Sequence, residues 1–191
     1  MMGTQMNDDF INLFNEIKEE PKEFIFRNAF PDVVTFDEFK LFREDTGKKR
    51  ETRWEDGKLS IDFEDDGSPI MSKNKAFHYF RSNLYEVWGD DLWDEPAFIM
   101  TELSGDGSGL RPHSDVCQQV HWNCVGQTLW TVTRFDGEDV KYVLNPGDVI
   151  FLADGMKHGV VSLTVPRAGI AYSIDQKNYR KDQKRGKYAD L

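Results

Sequence analysis

Apolar residues recur at three- and four-residue spacing in three stretches of the N-terminal half. Between Asn7 and Glu20 they are Phe10, Ile11, Phe14 and Ile17, a helical stripe that Pro21 stops. Thr35 with Glu38 three residues later has the capping-box pattern, and Phe36, Phe39, Leu41 and Phe42 behind it predict a second short helix. Ser72 is placed to cap a third, running to about Val87 with Phe77, Phe80, Leu84 and Val87 on one side. Between these, the Phe- and Ile-rich stretch from Glu23 to Phe30 predicts a short strand or extended segment before the Pro31 turn. Arg50 to Trp54 and Lys58 to Phe63 flank Asp56-Gly57, a dipeptide suited to a tight hairpin.

After Pro96 the pattern changes. Ala97 to Leu103 reads as a strand and Ser104 to Gly109 as a Gly-Ser-Asp loop. From Val116 onward short apolar segments are separated by Gly-rich turns about every dozen residues. That spacing predicts an antiparallel barrel or sandwich. Along the first of these segments Gln119, His121 and Asn123 fall on one face and Val120, Trp122 and Cys124 on the other. The polar row either lines a barrel and meets a ligand or forms a solvent face. Trp88, Trp93, Trp122 and Trp130 read as core residues, and His78 as structural or exposed.

The length of 191 residues fits one domain. Its expected organisation is a helix-rich part over 1–95 packed on a barrel core over 96–175, followed by a tail over 176–191. With 39% hydrophobic and 13% aromatic residues there is apolar bulk for a core, which argues against intrinsic disorder. The net charge of −10 disfavours a nucleic-acid partner and suits a basic peptide or protein, a metal ion or a small neutral molecule. The tail is the exception, with Lys177, Arg180, Lys181, Lys184, Arg185 and Lys187 against Asp182 and Asp190. It reads as a solvated end or a partner contact. Two cysteines, Cys117 and Cys124, are too few for a disulfide scaffold. No signal-like start and no long apolar run is present, so a reduced, cytoplasmic protein without a membrane anchor is expected.

The chemistry concentrates at His113-Ser114-Asp115 and at His158, 45 positions on. Two imidazoles and one carboxylate are the ligand set of the facial triad, which holds Fe(II) and leaves positions open for substrates. Residues two apart on a strand project from one face, so His113 and Asp115 can reach one metal. An isolated His-x-Asp equally describes a solvent-facing turn. The surroundings of His158 add weight: Pro146-Gly147-Asp148 is a turn, Val149-Ile150-Phe151-Leu152 an apolar strand, and Asp154-Gly155 a second turn that brings a histidine back to a barrel mouth. No Walker A loop, dinucleotide fingerprint, nucleophile elbow or zinc-type Cys-x-x-Cys competes with it.

The run from Gly147 through Ala153 and Gly155 to His158 resembles the second cupin motif, with Ala153 where many cupins have Pro. His113 through Thr128-Leu129-Trp130 resembles the first half of a JmjC-type oxygenase core. The two matches cover roughly residues 97 to 175. The resemblance implies a mainly β fold with flanking helices, a double-stranded β-helix (cupin or jelly-roll) barrel. It further implies Fe(II) held by His113, Asp115 and His158, with 2-oxoglutarate and O₂ as co-substrates. JmjC-like enzymes anchor the far carboxylate of 2-oxoglutarate with Lys or Arg on the strand that here carries Thr128, which cannot form an ion pair. Enzymes resembling the prolyl hydroxylases use an Arg after the distal His, and Arg167 stands nine residues after His158. A buried Arg calls for an anion, whereas an edge-strand Arg would snorkel to water. Gln119 and His121 are further candidates for the co-substrate. The activity implied is oxidation of a substrate C–H bond, as by a hydroxylase, coupled to decarboxylation of 2-oxoglutarate. The alternatives are a metal-dependent cupin enzyme that does not use 2-oxoglutarate and a non-catalytic cupin-like binding module.

Overall fold

A computed structural model describes residues 11–12, 15–16, 22–45, 60–63, 73–93, 96–102 and 108–174. Among the described residues, ten strands form two antiparallel sheets. The first three are β1 (Phe24–Phe26), β2 (Ser60–Phe63) and β3 (Ala97–Thr101), followed by β4 (Leu110–Ser114), β5 (Gln119–Val125) and β6 (Thr128–Thr133). The last four are β7 (Asp139–Leu144), β8 (Val149–Leu152), β9 (Lys157–Ser162) and β10 (Arg167–Ser173). The larger sheet has the order β1-β8-β5-β10-β3-β2, the smaller β4-β9-β6-β7. From β3 to β10 the chain is one long hairpin, pairing β3 with β10, β4 with β9, β5 with β8 and β6 with β7. Winding that hairpin into two facing sheets gives the expected double-stranded β-helix.

Both faces of the larger sheet are covered, and alternation sorts the side chains between them. Val120, Trp122 and Cys124 of β5, Ala168, Ile170 and Tyr172 of β10, and Val149 and Phe151 of β8 belong to a core shared with the helices. Ala97 and Ile99 of β3, Ile150 and Leu152 of β8, and Ala171 of β10 turn the other way. They meet Leu110, Trp130, Val132, Leu144 and Val160 inside the barrel.

The helical layer is α1 (Phe36–Asp45) and α2 (Lys75–Trp88). Thr35 and Glu38 form the predicted capping box: Glu38 Oε2 accepts from Thr35 N at 2.7 Å, and Thr35 Oγ1 accepts from Glu38 N at 3.3 Å. The cap of α2 is Asn74, not Ser72, which lies outside the described residues. Asn74 Oδ1 accepts from Phe77 N at 2.9 Å, and its amide donates to Glu38 Oε1 at 2.8 Å, so one carboxylate fastens both helix starts. Phe42 packs with tilted rings at 4.1 Å between centroids on Phe98, and Phe80 likewise at 4.8 Å on Trp122, both from the sheet beneath.

Of the first predicted helix, residues 11–12 and 15–16 are helical, and Ile11 packs on the helix-side core. The predicted hairpin turn Asp56-Gly57 and the basic tail lie outside the described residues, while Ser60–Phe63 pairs with β3. Among the described residues no helix is long and apolar enough to cross a membrane.

Candidate functional site

The β4–β9 ladder sets His113 directly opposite His158. Asp115 follows the end of β4, and its carbonyl accepts from Gly155 N at 2.8 Å, so the Asp154-Gly155 turn before β9 is fastened to the carboxylate's own backbone. Gly155 has φ +73°, which suits glycine at that turn. The result is a cluster in which one ligand atom from each of His113, Asp115 and His158 lies within 4.8 Å of the others. His158 Nε2 stands 3.5 Å from Asp115 Oδ2, and His113 Nε2 3.9 Å from Asp115 Oδ1.

Each imidazole is oriented by its other nitrogen. His113 Nδ1 donates to the carbonyl of Arg111 at 2.7 Å, and His158 Nδ1 to that of Met156 at 3.0 Å. Carbonyls accept only, so these bonds select the tautomer whose Nε2 lone pair faces the cluster, as in metal-ligating histidines. Burial favours neutral His158 and lowers its pKa against the opposing pull of the Met156 carbonyl; like charge on His113 adds to the lowering and Asp115 opposes it. Two imidazoles and one carboxylate, with both Nε2 atoms turned inward, fit a divalent transition metal.

Behind the cluster the barrel is layered. On the smaller sheet His158 pairs with Val132, Val160 with Trp130, and Ser162 with Thr128. Thr128 is therefore four residues, roughly 13 Å, from the histidine row at about 3.3 Å per residue. Trp130 fills the middle layer. Its indole stacks on the His158 ring at 5.8 Å, meets the His121 ring edge-on at 4.8 Å, and donates from Nε1 to Thr128 Oγ1 at 3.1 Å.

Arg167 opens β10 on its barrel face, two steps of alternation from Ala171, which pairs with His121. It is only 3% exposed, so it does not snorkel. Its Nε and Nη1 have no hydrogen-bond partner among the described residues, and burial alone pushes its pKa down to about 10. A guanidinium sealed from water without an anion carries an uncompensated desolvation cost, and its fork matches a carboxylate.

The polar row of β5 is wholly buried and points into the barrel, because the helical layer takes the other face. Its members differ. Gln119 donates from its amide to Ser173 Oγ at 2.9 Å and to Cys117 Sγ at 3.3 Å. Asn123 donates to the Gly126 carbonyl at 2.7 Å and so serves the β5–β6 turn. His121 alone of the three leaves a sealed nitrogen, Nε2, without a partner. Trp130 was legible in sequence as core. Its place between a candidate metal ligand and Thr128 was carried only by the two-residue spacing from Thr128. Of the other expected core tryptophans, Trp88 and Trp122 are buried and Trp93 is half-buried.

No family profile and no curated protein matches the chain. Solved structures do match. The X-ray structure of Escherichia coli YcfD superposes with a TM-score of 0.65 at 14% identity over 88% of this chain and 54% of that one. The fold is that of double-stranded β-helix oxygenases. YcfD, a ribosomal oxygenase, is also matched in complex with cobalt and succinic acid, at a TM-score of 0.61 and 15% identity, over 87% of this chain and 52% of that one. The chain thus spans about half the length of YcfD. A Trichoplax adhaerens prolyl hydroxylase, in complex with a hypoxia inducible factor oxygen degradation domain peptide, matches over 93% of this chain and 94% of its own, with a TM-score of 0.60 and 14% identity. Within the shared double-stranded β-helix, this chain places a His-Asp-His cluster that can hold a metal ion at one end of the barrel.

Proposed function

We propose that this protein is an Fe(II)- and 2-oxoglutarate-dependent oxygenase of the hydroxylase type, in which His113, Asp115 and His158 hold the metal and Arg167 anchors 2-oxoglutarate. The observation that carries the reading is the buried, anion-less Arg167 in the same barrel as the triad. A dicarboxylate spanning the two would meet the metal at one end and the guanidinium at the other. Thr128 is the accessory donor at that end: its Oγ1 already accepts from Trp130, which leaves its O–H to donate. The neighbours bound to cobalt with succinic acid or 2-oxoglutarate are consistent with this assignment.

Bound at this triad, iron would supply the activation of O₂ coupled to oxidative decarboxylation of 2-oxoglutarate. The chain's own residues do the rest. The Arg111 and Met156 carbonyls hold the imidazoles in their ligating tautomer. The fork of Arg167 fixes the far carboxylate, and the apolar lining of Ile99, Trp130, Val160 and Ala171 excludes water from the space between. The half-exposed edges of His113 and Asp115 mark the open end, where a substrate would enter. An acidic body suits a basic peptide or protein at that opening.

The test is succinate formation from 2-oxoglutarate under air with Fe(II). Iron-dependent succinate that is lost in Arg167→Ala is expected. Tight metal binding without succinate would favour a cupin enzyme that does not use 2-oxoglutarate, and absence of metal binding would favour a binding module.

A further inference from the structure

Of the buried side-chain atoms without a hydrogen-bond partner among the described residues, His121 Nε2 faces the barrel interior and has no role in the reading above. His121 is 8% exposed, its Nε2 is sealed from solvent without a hydrogen-bond partner, and neither cross-strand neighbour, Ala171 or Ile150, offers a side-chain polar atom. Buried polar groups are paired in the great majority of cases, so an orphan inside a barrel points to a missing ligand. The ring is held in place: Trp130 packs edge-on against it at 4.8 Å, and the His158 ring lies 6.3 Å away. It stands on the barrel face between the triad and Arg167, close enough for His158, Arg167 and His113 all to act on it electrostatically. Burial is the larger influence and favours the neutral ring.

We propose that His121 is a co-substrate-binding residue whose Nε2–H donates to the bound dicarboxylate between its metal end and its Arg167 end. The inference rests on the proposed use of 2-oxoglutarate. It assigns the pocket one permanent cation, Arg167, and two neutral donors, Thr128 and His121. A carboxylate only accepts, so binding selects the tautomer with the proton on Nε2. Gln119 and Asn123 are not part of this set, because their amides are already engaged within the fold.

The experiment is calorimetric titration of the full chain, loaded with Mn(II), with 2-oxoglutarate. His121→Ala is expected to raise Kd about 10- to 100-fold, the worth of one lost hydrogen bond to a charged group. Mn(II) affinity should stay within about threefold, and His121→Gln, which keeps a donor, should recover part of the loss. An unchanged Kd in a His121→Ala protein that melts like wild type overturns the proposal, as does an equal loss of Mn(II) affinity. A second measurement needs no variant. The chain has only four histidines, so the side-chain nitrogen resonances of His121 can be followed in the Zn(II)-loaded wild type as 2-oxoglutarate is added. A shift to the Nε2–H form is expected, and unmoved resonances at saturation overturn the proposal. If the metal-loaded wild type binds no 2-oxoglutarate, the functional reading itself fails. If it binds and Arg167→Ala loses binding while His121→Ala does not, only the role of His121 fails.

Discussion

His113 and His158 are direct partners across the β4–β9 ladder, and their rings stand 4.4 Å apart. Residues 45 apart in sequence thus converge because the long hairpin from β3 to β10 is folded over on itself, with the β5–β8 segment between them. The pairing makes the candidate metal site a property of strand register: a one-residue slip would turn one histidine outward.

Removing one triad member should therefore damage metal binding and little else. Asp115→Ala deletes a half-exposed carboxylate, so its melting temperature in the metal-free state should stay near that of wild type. Its affinity for Fe(II) or Mn(II) should fall by more than the roughly 10- to 100-fold typical of losing an outer-shell partner. Metal titration checks this, and wild-type affinity would dismiss Asp115 as a ligand.

Arg167 should trade stability for binding. Replacing an unpaired buried guanidinium with Met removes a desolvation cost, a gain on the order of 1–2 kcal/mol or a rise in Tm of roughly 2–8 °C for the ligand-free protein. The same variant should lose 2-oxoglutarate affinity by about 100-fold or more. Arg167→Lys should recover part of the affinity, keeping the charge without the fork. A fall in Tm for Arg167→Met would show that the guanidinium stabilises the empty fold.

Acid should destabilise the metal-free protein through His121. Burial holds this imidazole well below its ordinary value of 6.5, so between those two values the unfolded chain binds more protons than the folded one. Stability then falls as pH falls: the contribution is complete above about 6.5 and is lost as pH drops through the depressed value. His158, also lowered, adds in the same sense. Thermal melts between about pH 8 and pH 5 should show a shallower acid slope for His121→Phe than for wild type, and equal slopes would contradict the assignment.

The turn at the closed end should be intolerant of a side chain. Gly126 has φ +72°, and a Cβ there would come within 2.5 Å of the Pro166 carbonyl, immediately before Arg167. Gly126→Ala combines a disfavoured backbone with a clash and should cost about 1–3 kcal/mol in denaturant melts. It should also weaken 2-oxoglutarate binding, since the displaced segment carries Arg167.

The parts legible in sequence were those with a local signature. Thr35 and Glu38 sit three apart and cap α1 as read, and Asp154-Gly155 makes the expected turn before His158. His113, Asp115 and His158 come together in the structure, but Asp115 lies just past the end of β4 rather than on the strand, and its carbonyl is bonded to the Asp154-Gly155 turn that returns His158 to the pair. The start of α2 was misplaced because Asn74 offers the same chemistry as Ser72 two residues nearer the helix. The polar row on β5 was ambiguous for a different reason. Alternation distinguishes two faces but does not say which is covered, and here the helical layer covers one while the smaller sheet covers the other. The environment of Arg167 depends on contacts across β3, β5 and β10, which no local pattern encodes.

Anaerobic addition of 2-oxoglutarate to the Fe(II)-loaded protein, followed by visible absorption, tests the joint use of metal and co-substrate without needing the substrate. A weak charge-transfer band that grows to saturation, and that is lost in Asp115→Ala and displaced to much higher 2-oxoglutarate concentration in Arg167→Ala, is the predicted result. Iron bound at the triad with no band at any 2-oxoglutarate concentration would contradict the account.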